Sequence, residues 1–315
     1  MKTIPRLDAE AVLASEAEAL EAVRGAALET GFMVLENTPF APERMERLIE
    51  TYRAFFHLPE AEKAKVDMAK TGSNRGWGGM RSEQVDPASN PDLKEVFDCG
   101  FLWPEAAEAG APERYYAPNL WPDAPEGFRA EVEGYYQEAL GFCRQLLGAI
   151  SEAIGEDRSY FQQKFVHPMA LLRANFYPAR PGWAGDKDFG IAPHTDYGCL
   201  TLLATDGAPG LEVLRRDGSW EPVAAEPGAF VINFGEMLEM WSGGRVKATL
   251  HRVRGGGEER ISIPLFFNPE WDADVAPAGA GAPIRAGDHL AKRYDETYLH
   301  MADAQDVAGS GAATP

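Results

Sequence analysis

The sequence predicts an α+β fold, with helices concentrated in its first half and short strands in its second. Three observations predict this. After Pro42, the residues Met45, Leu48, Ile49, Tyr52, Phe55 and Phe56 recur at helical spacing and mark one buried face. Around 126–155, Val132, Tyr135, Tyr136, Leu140, Cys143, Leu146, Leu147 and Ile150 form the apolar stripe of a long helix. Beyond about residue 168 the texture changes to short runs rich in β-branched, aromatic and apolar residues, separated by turn signals.

In chain order, residues 14–29 are rich in Ala, Glu and Leu and predict a helix that Gly31 stops. Phe32-Met33-Val34-Leu35 is an apolar run of strand length. Asn37-Thr38-Pro39 then turns the chain, and Pro42 stands near the start of the next helix. Residues 67–125 read as loop, with Gly76, Gly78, Gly79 and several prolines. The predicted strands are 170–177, 199–204, 211–215, 229–234, 248–253 and 260–267, and Asp217-Gly218 is a hairpin signal. Such a series fits a sandwich, a barrel or a jelly roll. There is no internal repeat. We expect one domain over 1–301: a mainly helical part to about 160, a strand-built core over about 168–270, and a C-terminal segment and helix over 271–301. Residues 302–315 are small and polar and are expected to be a disordered tail.

Composition narrows the function. The formal charge is -19, which repels the phosphates of nucleic acid and of anionic membrane surfaces. Cys99, Cys143 and Cys199 are odd in number, far apart and without a CxxC pair, so neither a disulfide framework nor a zinc knuckle is expected. The opening residues carry no apolar signal region, and no stretch approaches the length of a membrane span. These features predict a cytoplasmic protein with reduced thiols and no membrane or nucleic-acid partner; they do not bear on oligomeric state, for which a monomer is the expectation.

The chemistry centres on His194-Thr195-Asp196. On a strand, residues i and i+2 project from one face, so an extended HxD aims an imidazole and a carboxylate at one point. His251, on a separate predicted strand, is the candidate third ligand. Two histidines and a carboxylate form the facial arrangement of non-haem iron(II) oxygenases and leave coordination positions open; zinc competes on ligand type alone. The chain has six histidines. His57, His167, His289 and His300 fall in helical or flanking segments and read as surface or core residues. Nine residues beyond His251 comes Arg260-Ile261-Ser262, whose Arg and Ser share one strand face. A guanidinium fork beside a hydroxyl receives a carboxylate well. On the same face, Pro264 and Phe266 continue inward.

Taken together, these motifs resemble the isopenicillin N synthase-like branch of the iron(II)/2-oxoglutarate-dependent oxygenases. The likeness runs through 31–37, Lys94-Glu95-Val96-Phe97-Asp98, Asn119-Leu120-Trp121-Pro122, Leu172-Arg173-Ala174-Asn175-Phe176-Tyr177-Pro178, the segment 194–203, and 248–253 with Arg260-Ile261-Ser262. It departs from the commoner pattern at Thr38-Pro39 and at Ser242-Gly243-Gly244, both of which look like turns. The resemblance implies a distorted double-stranded β-helix, or jelly roll, flanked by helices. It implies that His194, Asp196 and His251 hold Fe(II). It further implies that Arg260, Ser262 and Tyr177 bind the distal carboxylate of 2-oxoglutarate, with Asn175 near its metal-chelating end.

The implied reaction is hydroxylation, desaturation or ring closure of a small molecule with O2, releasing succinate and CO2, with ascorbate as a reductant. Two readings compete: an oxidase of the same fold that dispenses with 2-oxoglutarate, and a non-catalytic ligand-binding protein. A zinc hydrolase on the same ligands is a further alternative. For the substrate pocket, Phe266, Phe101 and Trp77 are the candidates, with Trp183 as a lid residue.

Overall fold

The computed structural model describes residues 3–71 and 73–297, so the expected tail at 302–315 lies outside the described residues. The helices form where apolar spacing places them. Ala17–Gly25 is α-helical and continues as a π turn over Ala26–Thr30. Gly31 ends it at φ +70°, where a Cβ would stand 2.4 Å from Thr249 Oγ1, so the position requires glycine on both counts. Pro42–Phe56 begins on its proline, and Phe128–Ala153 is the long helix expected around 126–155.

Among the described residues, twelve strands form two sheets. They are β1 (Arg6–Asp8), β2 (Phe32–Glu36), β3 (Gly76–Gly78), β4 (Glu95–Gly100), β5 (Leu171–Tyr177) and β6 (Ile191–His194), followed by β7 (Leu200–Thr205), β8 (Leu211–Leu214), β9 (Trp220–Pro222), β10 (Phe230–Phe234), β11 (His251–Val253) and β12 (Arg260–Phe267). The larger sheet runs β1-β2-β10-β7-β12-β5-β4-β3, and the smaller runs β6-β11-β8-β9. Apart from the parallel pair β1 and β2, neighbours are antiparallel.

Strand alternation gives the larger sheet two different faces. Leu172, Ala174, Phe176, Ile261, Ile263, Leu265 and Phe267 pack outward with the helices, around an aromatic cluster of Tyr52, Phe55, Phe97 and Phe128. Burying each such side chain stabilises the fold by roughly 1.5–3 kcal/mol. The inner face meets the smaller sheet. There a second core gathers Phe32, Val34, Leu203, Leu211, Val213, Val231 and Val253. The two facing sheets are the jelly roll.

Two expectations are corrected. Residues 67–125 are not simply loop: they supply β3 and β4 at the sheet edge. The β4 strand escaped detection because its buried inner face carries Asp98, so apolar–polar alternation does not mark its solvent side. The predicted strand 248–253 is short, with only His251–Val253 paired. Among the described residues, no helix is long and apolar enough to cross a membrane.

Candidate active site

Between the sheets lies a chamber whose lining includes all three candidate metal ligands and all four candidate cosubstrate residues. His194 and His251 face each other directly across β6 and β11, with ring centroids 4.3 Å apart. In each, Nδ1 lies against the carbonyl two residues earlier: Ala192 O at 2.8 Å for His194, and Thr249 O at 3.1 Å for His251. A carbonyl only accepts, so each Nδ1 carries a proton, and Nε2, on the Asp196 side, is the nitrogen that each ring can offer to a metal.

Asp196 arrives differently from the expected strand geometry. β6 ends at His194, and Asp196 lies in the connection that follows. Its position is set by β7 and β10, where Thr201 and Asn233 stand opposite each other in register. Thr201 Oγ1 and Asn233 Nδ2 both donate to Asp196 Oδ2, Asn233 at 2.6 Å. The other oxygen, Oδ1, is left facing His194 Nε2 at 3.9 Å and His251 Nε2 at 3.7 Å. The connection can pass this closely because Gly198 has no side chain; a Cβ there would sit 1.8 Å from Asn268 Oδ1.

Electrostatics prepare His194 and Asp196 for a cation. Burial, and then the neighbouring His251, push the His194 imidazole well below its ordinary pKa. Burial pushes the Asp196 carboxyl up, but the two imidazoles and the Thr201 and Asn233 hydrogen bonds outweigh it and hold the carboxyl below its ordinary value. A neutral imidazole beside a carboxylate is the protonation state that binds metal. Among the described residues, these three are the His, Cys, Asp or Glu group whose donor atoms gather within 4.8 Å.

The second half of the chamber is written on two neighbouring strands. Register pairs Arg260 with Tyr177 and Ser262 with Asn175, so all four project from one face of β12 and β5. The Arg260 guanidinium is buried, with its Cζ 5.2 Å from the Tyr177 ring centroid. Its Nε donates to Ala208 O at 3.2 Å, while its Nη1 has no hydrogen-bond partner among the described residues. Asn175 Nδ2 lies 3.3 Å and Tyr177 Oη 3.4 Å from Ser262 Oγ. A buried cation with an unused N–H, beside a hydroxyl, is a receptor for an anion that the described residues do not supply.

A profile of the 2OG-Fe(II) oxygenase superfamily matches residues 168–269. Another, described as the N-terminal part of non-haem dioxygenases in morphine synthesis, matches residues 4–124. The chain is 31% identical over 284 residues to a 2-oxoglutarate-Fe(II) type oxidoreductase of Aspergillus fumigatus, covering 86% of this chain and 83% of that one. This chain belongs to the 2-oxoglutarate and Fe(II)-dependent oxygenase superfamily. It is also 30% identical over 266 residues to a homoarginine-6-hydroxylase of Arabidopsis thaliana, covering 83% of this chain and 80% of the relative. The fold superposes on a full-length Neurospora crassa protein, solved in complex with alpha-KG and thymine, with a TM-score of 0.81 at 26% identity, over 93% of this chain and 96% of that one. The oxygenase is thus a dioxygenase that uses Fe(II), 2-oxoglutarate and O2 on the double-stranded β-helix of its family.

Of the three pocket candidates, Phe266 lines the chamber of the oxygenase. Trp77 and Phe101 do not. The Trp77 indole donates to Glu95 Oε2 at 2.7 Å and packs beside Lys63, on the far side of β4. Phe101 packs against the outer core and meets His167 edge-on. Both read as pocket residues because they are aromatic and near Gly-rich or strand-end segments, a pattern that packing produces equally well. Trp183 is exposed, under the Arg81 guanidinium. His57 pairs with Glu259, His167 stacks on Trp103, and His289 contacts Tyr197 O, so none approaches the triad; His300 lies outside the described residues. Sequence reasoning missed Thr201, Asn233 and the wall formed by Glu83, Lys94 and Arg173. Lys94 and Arg173 each fell inside a segment that carried the family likeness, but nothing local marked them as inward-facing.

Proposed function

We propose that His194 Nε2, Asp196 Oδ1 and His251 Nε2 hold the Fe(II), and that Arg260 and Ser262 receive the distal carboxylate of 2-oxoglutarate. The unpartnered, buried Nη1 of Arg260 carries this reading: such a group is costly unless an anion from outside completes it. The donor set supports the metal half, because two imidazole nitrogens and one carboxylate suit Fe(II) and leave positions open.

When bound, Fe(II) with 2-oxoglutarate and O2 supplies the oxidising power that removes hydrogen from a substrate C–H, with succinate and CO2 as co-products. The chain contributes placement. Thr201 and Asn233 occupy one oxygen of Asp196 and thereby direct the other toward the metal position. Asn175 donates to the Ser262 oxygen, which frees the Ser262 O–H to point at the carboxylate. Leu171, Phe266, Leu290 and Tyr294 wall the chamber and exclude water where the substrate enters.

The substrate is a small molecule, as thymine is in the Neurospora crassa complex. The excess of acidic residues favours no nucleic-acid partner, and the three buried, unpaired thiols favour a cytoplasmic setting. We read the described chain as one domain acting as a monomer. The test is anaerobic Fe(II) titration and succinate formation in wild type and His194→Ala. The variant loses stoichiometric iron binding and makes no succinate. Iron binding that survived in His194→Ala would overturn the metal assignment.

A further inference from the structure

The chamber has a second polar wall, which the metal and cosubstrate assignments leave unused. Glu83, Lys94 and Arg173 line it, and all three are buried. Arg173 lies on the inner face of β5, two residues from Asn175 and four from Tyr177, so alternation brings it onto the same face as the cosubstrate residues. It donates to Asp98 through Nε at 2.8 Å and Nη2 at 2.6 Å, and to Glu83 Oε2 through Nη1 at 2.9 Å. Lys94 Nζ lies 2.6 Å from Asp92 Oδ2 and 2.9 Å from Glu83 Oε2. Buried Arg75 adds a third cation acting on Asp98. Three cations therefore face three carboxylates, so the network is neutral as a whole, and Glu83, Lys94 and Arg173 are its members that line the chamber.

One atom of the wall is left over. Glu83 Oε1 is buried and accepts no hydrogen bond among the described residues. Arg173 Nη2 stands 2.8 Å away, but no N–H of that group is directed at it, so the contact is ionic rather than a hydrogen bond. Burial pushes the Glu83 carboxyl up, while Arg173 and Lys94 outweigh this and hold it ionised at about 2. An acceptor of that kind, in a chamber that admits a ligand, calls for an N–H or O–H from outside.

We propose that Glu83 Oε1 accepts a hydrogen bond from the substrate, and that the part of the substrate beside it is uncharged. The proposal deepens the functional reading above and rests on its assignment of the opposite end to 2-oxoglutarate. An anion at this wall meets the ionised Glu83, and the two cations beside it, Lys94 and Arg173, are already committed to Glu83, Asp92 and Asp98. A cation meets Lys94 and Arg173. A neutral group with an N–H or O–H, such as an amide, a lactam or a hydroxylated ring, completes Glu83 and disturbs no existing pair.

The probe is a fragment set arranged as near-isosteric quartets on the pattern of benzamide, acetophenone, benzoate and benzamidinium. Binding is measured calorimetrically on the anaerobic protein loaded with Fe(II) and 2-oxoglutarate. Within quartets that bind, the amide-type member exceeds both charged members and the donor-free ketone by roughly tenfold. Charged or donor-free members that bind as well, or a set in which nothing binds, overturn the proposal. Glu83→Gln keeps the shape and removes the charge, so benzoate-type members gain roughly tenfold on their amides; an unchanged ranking overturns it too. The affinity of Glu83→Gln for 2-oxoglutarate is read in the same samples. Loss of that affinity would mean that the Glu83 wall holds the cosubstrate, in which case the earlier assignment of the two ends is what fails.

Discussion

Replacing Arg260 by leucine separates a cosubstrate role from a structural one, because the two predict opposite pairs of results. Among the described residues of the unliganded protein, the guanidinium makes one hydrogen bond, to Ala208 O, and one contact over the Tyr177 ring. Losing both costs about 2 kcal/mol. Removing a buried cation without a countercharge relieves a desolvation penalty of at least that size. The unliganded variant should therefore unfold within about 1–2 kcal/mol of wild type. With 2-oxoglutarate present the balance changes. Deleting the cation that faces a buried carboxylate costs about 2–5 kcal/mol, or roughly 30-fold to several-thousandfold in affinity. At a cosubstrate concentration about 100 times the wild-type Kd, wild type gains about 2.7 kcal/mol of stability and the variant under about 1 kcal/mol. Urea unfolding of the anaerobic, metal-loaded protein, with and without 2-oxoglutarate, reads both quantities. Equal stabilisation of the two proteins by 2-oxoglutarate refutes the reasoning. So does a variant that loses more than about 3 kcal/mol before any ligand is added, since Arg260 would then be holding the fold.

Two further outcomes are expected. Thr201→Val removes one of the two donors to Asp196 Oδ2 at nearly constant volume, and should lower Fe(II) affinity about 10- to 100-fold while leaving the circular dichroism spectrum unchanged; a titration matching wild type would show that Asp196 needs no such support. For Glu83, Arg173 and Lys94 overcome the upward push of burial and depress the folded pKa to about 2 from 4.5. The unfolded chain therefore binds the extra proton first as pH falls. The stability that Glu83 contributes, about 3 kcal/mol, is complete above pH 4.5 and is lost as pH falls toward 2. The stability gap between wild type and Glu83→Gln in urea should narrow from pH 6 to pH 3, and a constant gap would contradict the network as described.

The legible parts of the molecule were those where one residue type has one physical use. Helical apolar spacing placed the Pro42–Phe56 and Phe128–Ala153 helices, because a stripe of that period has to be buried. HxD with a distant histidine, and Arg with Ser two residues on, marked the two halves of the chamber, since few other arrangements justify those side chains inside a strand region. The route by which Asp196 reaches the triad was misread, because alternation holds only while the strand continues, and β6 stops at His194. The ionic wall was not legible at all. Glu83, Lys94 and Arg173 are ordinary surface residues by type. Arg173 becomes an interior group because β5 presents its polar side inward, and Glu83 and Lys94, which precede β4, pair with each other and, through Glu83, with Arg173; that orientation depends on which face the helices cover.

The origins of the chamber's side chains along the chain have a consequence for how such an enzyme diversifies. Triad and anion receptor all come from the stretch between Asn175 and Ser262, whereas Glu83, Val85 and Lys94 precede it and Leu290, Tyr294 and Thr297 follow it. The proposed metal and cosubstrate residues are therefore close together in the chain, whereas much of the remaining lining, apart from strand neighbours such as Arg173 and Phe266, comes from separate lengths of polypeptide. Recombination or drift in the outer segments can retool what is accepted while the oxidising apparatus is inherited intact. A chimera that exchanges those outer segments with a relative's should keep making succinate and change its clientele.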